Sequence, residues 1–401
     1  MSDDIILYGG TFLNKGGAAI AYGTLKVLRE LGLKFNYIID PEPFFPFEEL
    51  NLSPIYRFSD SFSVNPIPSI SPIYTAKPFF KCITRSFSHD IKQFKNMPIW
   101  HIGDSPFSDS RSALSVVGQI IALQSLKSAT HGDVIIGGVS LDYPKTKIGR
   151  YLLPRYFRND VDFTFTRGVY TKKVLSDFKV PSERSISICD FALHLDRQDS
   201  RRSDSIFSRL KDSGKPKVAL VLRDFAQGSE RENYLASIRR LLTRLYDENY
   251  EVYFIPTTYA FLTPENDLVF LEQELSISPQ NIINIRDLTP HEIISVFSNF
   301  EIVISARLHG AVLGTLAHVP TIHLYEGGKS VEVIGEVFGD LVPLIKLKTF
   351  ATGDEIESIV QLIERMLGNK VQIGKEMENC IDNARSQSLE TLREHLGTLV
   401  G

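Results

Sequence analysis

The segment Ser305-Ala306-Arg307-Leu308-His309-Gly310-Ala311-Val312-Leu313-Gly314-Thr315-Leu316-Ala317 holds the densest chemistry in the chain. An apolar run, Ile302-Val303-Ile304, leads straight into it, and Pro320 closes it. The pattern predicts a buried strand, a tight turn, and a helix whose first turn carries Arg307 and His309. A permanent cation and a titratable imidazole beside unpaired helix N–H groups make a site for a small, highly charged anion. The ordinary alternative for His309 is a core histidine bonded to backbone; the Arg-x-His spacing favours the functional reading. His318 and His323 follow at intervals of nine and five residues, which do not match metal-ligand spacing. No cysteine or carboxylate cluster accompanies them, so no metal is expected.

Basic residues recur where other apolar runs end. Arg223 follows Val218-Ala219-Leu220-Val221-Leu222, Arg167 follows Phe163-Thr164-Phe165-Thr166, and Lys329 follows Glu326-Gly327-Gly328. A cation left there without an anionic partner is costly. For Arg223 a salt bridge, to Asp224 or to a helix elsewhere, weighs equally with ligand contact; for Arg167 the structural ion pair is favoured. Near the start, Gly9-Gly10-Thr11-Phe12-Leu13-Asn14-Lys15-Gly16-Gly17 can bring backbone N–H groups close to a ligand. It is neither a P-loop nor a dinucleotide fingerprint, and a plain tight turn explains it as well. Asp267, after Pro264-Glu265-Asn266, reads as a helix cap or as a base on a substrate hydroxyl.

These positions need a frame, and the frame is strand, turn, helix, repeated. Strands are expected at Ile5–Tyr8, Tyr37–Ile39, Ile99–Ile102, Val134–Ile136, Phe163–Thr166 and Ser187–Asp190. A charged, serine-rich connector from about Gln198 to Lys217 follows. The series then restarts with Val218–Leu222, Val252–Ile255, Ile282–Ile285, Ile302–Ile304 and Thr321–Leu324. Helices are expected from about Ala18 to Leu31, Val116 to Leu126, Asn233 to Glu248, Asp267 to Leu275 and Pro290 to Ser298. Short continuous apolar strands between amphipathic helices imply parallel sheets covered on both faces. The expected fold is α/β, with two Rossmann-like domains facing across a cleft. The boundaries are 1–200 and 214–365, with a helical tail at 366–401. A proline- and aromatic-rich stretch, Pro41–Pro78, is expected as an insertion, with Tyr56, Phe58 and Tyr74 as side chains for ligand contact or packing.

Bulk properties narrow the class. A chain of 401 residues that is 43% hydrophobic can bury two cores of ordinary size. A formal charge of −4 argues against a nucleic-acid partner. Three scattered cysteines, Cys82, Cys189 and Cys380, suit a reducing compartment. No apolar stretch approaches the ~20 residues that span a bilayer, and no secretory signal is evident. A cytoplasmic protein is expected.

Taken together these residues resemble the polysaccharide pyruvyl transferases. The likeness rests on Asn14-Lys15-Gly16-Gly17-Ala18, the Arg167 helix, Cys189-Asp190-Phe191-Ala192-Leu193, the strand ending in Arg223, the Pro264/Asp267 segment, and above all Ser-Ala-Arg-Leu-His-Gly with Lys329 downstream. It covers about residues 5–335. The chain departs in having Gly16-Gly17 where many members carry Gly-Asp, so no role for that acid is carried over.

The resemblance implies a GT-B-like fold, with the first domain on the acceptor side and the second on the donor side. It implies phosphoenolpyruvate as donor and a sugar of a polysaccharide or lipid-linked glycan as acceptor. The product would be a pyruvate ketal, with phosphate released. His309, Arg307 and Arg223 would be catalytic. Asn14, Gly16, Gly17, Arg167, Asp267 and Lys329 would bind substrate, with no cofactor needed. Two alternatives fit the same cations: a GT-B glycosyltransferase using a nucleotide-sugar, and a non-catalytic glycan-binding protein. Homo-oligomer formation and peripheral attachment to a membrane bearing the acceptor are compatible with this reading.

Overall fold

A computed structural model describes residues 4–39, 45–46, 48–56, 94–104, 107–108, 113–208, 210, 214–224, 228–259 and 266–400. Most of Pro41–Pro78, with Phe58 and Tyr74, lies outside the described residues, as does Pro264. The chain divides into two compact units. The first comprises Met1–Phe12, Ile20–His194 and Arg385–Gly401, and the second Leu13–Ala19 and Leu195–Ala384.

The first unit is built on β1 (Asp4–Tyr8), β2 (Lys34–Ile39), β3 (Ser53–Tyr56), β4 (Ile99–Asp104), β5 (Val134–Val139), β6 (Phe163–Thr166) and β7 (Ser185–Ser187). They form one seven-stranded sheet in the order β3-β2-β1-β4-β5-β6-β7, and every pairing is parallel. All six residues of β5 are buried, as a strand covered on both faces requires. Helix Ala113–Thr130 and helix Lys147–Asn159 contribute Leu123, Leu126, Leu153 and Phe157 to the core against Ile136 and Val139. The strand expected at Ser187–Asp190 ends sooner. The Cys189 N–H donates to Ser388 Oγ at 2.7 Å instead of joining the ladder, and Phe191–His194 turns as a 3-10 helix.

The second unit carries β8 (Lys217–Val221), β9 (Glu251–Phe254), β10 (Ile302–Ser305), β11 (Thr321–Tyr325) and β12 (Leu344–Lys346). Their order is β12-β11-β10-β8-β9, again parallel throughout. The strand expected at Ile282–Ile285 reduces to a single bridge between Ile282 and Phe254. Its later amides are drawn to side chains: Ile285 N–H donates to Tyr259 Oη at 2.9 Å, and Arg286 N–H to Asn284 Oδ1 at 3.0 Å. The β-strand order reverses between β8 and β10, and in such sheets ligands sit beyond the carboxyl ends of the strands at that reversal.

Helix Leu308–Leu316 lies unusually close on this sheet. A Cβ on Gly310 would come within 2.5 Å of Ser305 Oγ and 2.8 Å of Val221 Cγ1, and one on Gly314 within 2.8 Å of Thr321 Oγ1. Gly310 therefore lets the helix start directly over the ends of β8 and β10, and Gly314 lets it continue close against Thr321 and Val303.

Candidate functional site

The strand ends of the second unit gather a chain of polar contacts. After β10, Arg307 is the residue preceding helix Leu308–Leu316, with extended backbone at φ −109° and ψ 129°. Ser305 fixes the turn: its hydroxyl donates to Arg307 O at 2.6 Å and accepts from Arg307 N–H at 3.2 Å. The Arg307 guanidinium reaches Asp267 Oδ1 through Nη2 at 2.5 Å and Nε at 3.2 Å. Its side chain is 17% exposed, whereas that of Asp267 is 0% exposed. The other carboxylate oxygen, Oδ2, accepts from Thr257 N–H at 3.1 Å, Thr258 N–H at 3.0 Å and Thr257 Oγ1 at 3.2 Å. Burial pushes the Asp267 carboxyl up, while Arg307 and the threonine amides pull it the other way.

The same two threonines hold the glycine-rich loop. Lys15 N–H donates to Thr257 O at 2.9 Å, Asn14 bridges Thr258, and Tyr259 N–H donates to Leu13 O at 3.0 Å. Asn14 Oδ1 accepts from Gly16 N–H at 3.1 Å and Gly17 N–H at 3.4 Å, so it starts helix Lys15–Glu30 three residues earlier than Ala18. Gly16 then abuts His309: a Cβ there would lie 2.5 Å from Nδ1, 2.8 Å from Cγ and 3.0 Å from Cβ of the histidine. The loop glycine and the half-buried imidazole are thus in direct contact within one unit.

Arg223, following β8, pairs with Glu326 beyond β11 at 3.0 Å; their side chains are 29% and 50% exposed. Asp224, the nearer candidate in sequence, pairs with Arg231 at 2.9 Å instead. Lys329 sits half-buried in the turn Gly328–Ser330 after β11. His323, on β11, is 1% exposed. Its Nδ1 lies 2.8 Å from Ser305 O, an acceptor only, so Nδ1 carries the proton. Nε2 then accepts from the Ser330 hydroxyl at 2.9 Å. Burial lowers this imidazole to about 4, and the positive charges of His309, Arg223 and Lys329 add to the effect.

The structure accordingly brings Asn14, Gly16, Gly17, Asp267, Arg307, His309, Arg223 and Lys329 into one unit. Arg167 belongs to the other. It is buried in an ion pair with Asp190 at 2.8 Å, both side chains 0% exposed, and Nε donates to Ser140 Oγ at 2.9 Å. That enclosure leaves Arg167 no face for a substrate. Asp267 is likewise enclosed: it orients Arg307 rather than meeting a substrate hydroxyl, and Asn266, not Asp267, caps the helix there. Among the described residues, no three histidine, cysteine or carboxylate side chains converge as metal ligands would.

Lys15 belongs to the glycine loop, but its burial is not legible in the sequence. Its Nζ is buried and donates to Arg286 O and to Leu288 O at 3.1 Å. Burial draws its ammonium down to about 7, Arg286 adding to the shift and Asp287 opposing it. Placing the helix start at Ala18 kept Lys15 in a loop, where burial is not expected. Thr257 and Thr258 carry a usable signal, two polar residues just past Pro256, which closes the apolar run Val252–Ile255.

Fold and strand-end chemistry define a two-sheet α/β protein of the GT-B kind. A family model described as polysaccharide pyruvyl transferase matches residues 14–327, and the chain belongs to that family. No curated protein matches the sequence. Among solved structures, Anabaena HepE in complex with UDP-glucose aligns over 98% of each chain at 11% identity and a TM-score of 0.60. UDP-GlcNAc 2-epimerase from Neisseria meningitidis bound to UDP-GlcNAc aligns over 98% of this chain and 100% of its own, at 15% identity and a TM-score of 0.59. The Methanocaldococcus jannaschii UDP-GlcNAc 2-epimerase in complex with UDP-GlcNAc and UDP aligns over 90% of this chain and 99% of its own, at 15% identity and a TM-score of 0.56. At such identities the likeness is one of fold.

Proposed function

We propose that this protein transfers the pyruvyl unit of phosphoenolpyruvate to two hydroxyls of one sugar in a polysaccharide or lipid-linked glycan, forming a ketal and releasing phosphate. Family membership supports the class of reaction. The observation that carries the assignment to residues is the contact of Gly16 with the His309 ring, which joins the glycine loop to the Arg-Leu-His helix start.

Phosphoenolpyruvate bears a carboxylate and a phosphate, so its site needs several cations and aimed N–H groups. Arg307, Arg223 and Lys329 supply the cations. Arg307 is presented in a fixed direction because Asp267 engages Nε and Nη2 while Nη1 takes no part in that pairing. The reaction begins with protonation of the methylene carbon, which makes the central carbon electrophilic. One sugar hydroxyl adds there and returns its proton to His309; phosphate departs with the C–O bonding pair and takes that proton; the second hydroxyl then closes the ring, its proton restoring His309. His309 is the acid, first to the methylene and then toward the leaving phosphate, and the arginines stabilise the charge that phosphate carries away. Glu326 holds Arg223 until the anion takes its place.

The test is phosphate release from phosphoenolpyruvate with a panel of glycan acceptors, paired with thermal shifts against UDP-, GDP- and CMP-sugars. Phosphoenolpyruvate is expected to raise the melting temperature where the nucleotide-sugars do not. His309→Gln is expected to lower turnover by at least ~10²-fold with phosphoenolpyruvate binding retained. Stabilisation by a nucleotide-sugar alone would instead favour a glycosyltransferase. Near-normal turnover of His309→Gln would remove the acid from this scheme.

A further inference from the structure

In the first unit the segment Tyr143-Pro144-Lys145-Thr146-Lys147-Ile148-Gly149-Arg150-Tyr151-Leu152-Leu153-Pro154-Arg155-Tyr156-Phe157-Arg158-Asn159 contains five basic residues and no acidic one, in a chain whose net charge is −4. It forms the connection after β5 and then helix Lys147–Asn159. The helix is two-faced. Gly149, Leu153, Tyr156 and Phe157 are buried. Lys147, Tyr151, Arg155 and Arg158, spaced by four, four and three residues, fall on the opposite face with Ile148 and Arg150 beside them, and all six are exposed.

The apolar members of that face are what a soluble surface ordinarily hides. Tyr151 is 67% exposed, Ile148 48% and Tyr143 42%. Val169, 63% exposed, starts helix Val169–Asp177, which follows the neighbouring strand β6. The two segments are tied together. Tyr143 stacks edge-on against Tyr170 with ring centroids 6.3 Å apart, the Lys173 ammonium lies 6.0 Å over the Tyr143 ring, and Leu141 N–H donates to Thr171 Oγ1 at 3.0 Å. Four of the eight large hydrophobic side chains that are exposed among the described residues therefore share this patch. The acidic groups here are engaged or peripheral: Asp177 accepts from the Tyr143 hydroxyl and pairs with Lys173 at 3.0 Å, Asp160 accepts from Gln124 at 3.0 Å, and Asp142 is exposed beside Tyr143.

We infer that this face docks the protein on an anionic lipid bilayer. Nucleic acid would match the cations but would leave Ile148 and Val169 against water. A bilayer surface matches both: phosphates of the headgroups meet Lys145, Lys147, Arg150, Arg155 and Arg158, while Tyr151, Ile148 and Val169 enter the boundary of the acyl region. Tyrosine suits that depth because its ring is apolar and its hydroxyl stays hydrated. Among the described residues no helix is long and apolar enough to cross a membrane, so attachment here is at the surface.

The experiment is cosedimentation of the full chain, without substrate, with vesicles of phosphatidylcholine and with vesicles containing an equal part of phosphatidylglycerol. Binding at least about tenfold tighter is expected on the anionic vesicles, falling toward the neutral level in about 1 M salt. The pair Lys147→Glu and Arg155→Glu is expected to abolish it. The pair Ile148→Ser and Tyr151→Ser is expected to weaken it about tenfold at unchanged charge. Val169→Ser, on the other helix, gives an independent loss, and circular-dichroism melts establish that each variant is folded. Equal sedimentation with both vesicle types would overturn the inference. So would full binding by the Ile148→Ser and Tyr151→Ser protein, since charge alone then acts and an acidic macromolecule is the better partner. Vesicle binding is read without phosphoenolpyruvate, so its outcome is independent of the transfer reaction.

Discussion

Asp267 divides its two oxygens between Arg307 and the Thr257–Thr258 backbone, so one buried carboxylate ties the arginine of the Arg-Leu-His helix to the segment after β9 that holds the glycine loop. Removing it leaves Arg307 without its counter-charge and two amides without an acceptor. Breaking a buried pair costs roughly 3–5 kcal/mol; the 17% exposure of Arg307 argues for the lower end. Asp267→Ala is expected to lose about 3 kcal/mol in urea unfolding and to lose phosphoenolpyruvate-dependent turnover. Asp267→Asn, which keeps an acceptor, is expected to unfold later than Asp267→Ala yet remain impaired in turnover. Turnover equal to that of the parent in Asp267→Asn would show that the charge of this pair is not needed.

Gly16 offers a sharper probe, because the cause of its effect is steric and its partner is named. A methyl group 2.5 Å from His309 Nδ1 cannot be accommodated without moving the ring. Gly16→Ala is expected to lower kcat by at least about tenfold and to cost about 1–3 kcal/mol of stability. In the His309→Ala background the same substitution is expected to cost much less, since Nδ1 and Cγ are gone and only the Cβ contact at 3.0 Å remains. A double-mutant cycle on thermal stability checks this: additive losses would mean that Gly16 and His309 do not touch.

Much of this arrangement was legible beforehand. The Ile302–Ser305 strand, the turn and the Arg307/His309 helix start follow from apolar run, break and resumed apolar periodicity, and they stand where expected. The parallel sheets follow from the same alternation. Partners across long sequence intervals were not legible. Nothing in local pattern says that Arg223 faces Glu326, 103 residues on, rather than the adjacent Asp224. Ile282–Ile285 has the composition of a strand, yet the Tyr259 hydroxyl and the Asn284 side chain take the amides a ladder would need. Lys15 shows the limit most plainly, because its burial depends on Arg286 and Leu288 carbonyls 271 and 273 residues away.

Arg167 separates a structural arginine from a functional one. Its pair with Asp190 is closed on all sides, with both side chains 0% exposed. Arg167→Ala leaves a buried carboxylate uncompensated, and a loss of roughly 3–5 kcal/mol is expected. Replacing both partners, as Arg167→Met with Asp190→Leu, is expected to recover much of that loss, because neither charge then remains to be desolvated. KM for phosphoenolpyruvate is expected to stay within about twofold in whichever variant folds. A large rise in KM in the well-folded double variant would return Arg167 to the substrate.

His323 gives the pH dependence. Its imidazole is lowered to about 4 in the folded chain, below the ordinary 6.5, chiefly by burial, with the charges of His309, Arg223 and Lys329 adding and the Ser305 hydrogen bond opposing. Between those two values the unfolded chain binds the proton and the folded chain does not. Its contribution is therefore fully present above pH 6.5 and is lost as pH falls toward 4. A gap of this size corresponds to at most about 3 kcal/mol. Urea unfolding from about pH 7.5 down to about pH 5 is expected to show stability falling, with most of the slope below pH 6.5. His323→Gln retains a donor toward Ser305 O and cannot titrate there, so its curve is expected to be flatter over the same range. An equal slope in parent and variant would locate the titrating group elsewhere. If instead the variant flattens, and adding phosphoenolpyruvate flattens the parent as well, the anion has neutralised the cations that press on His323.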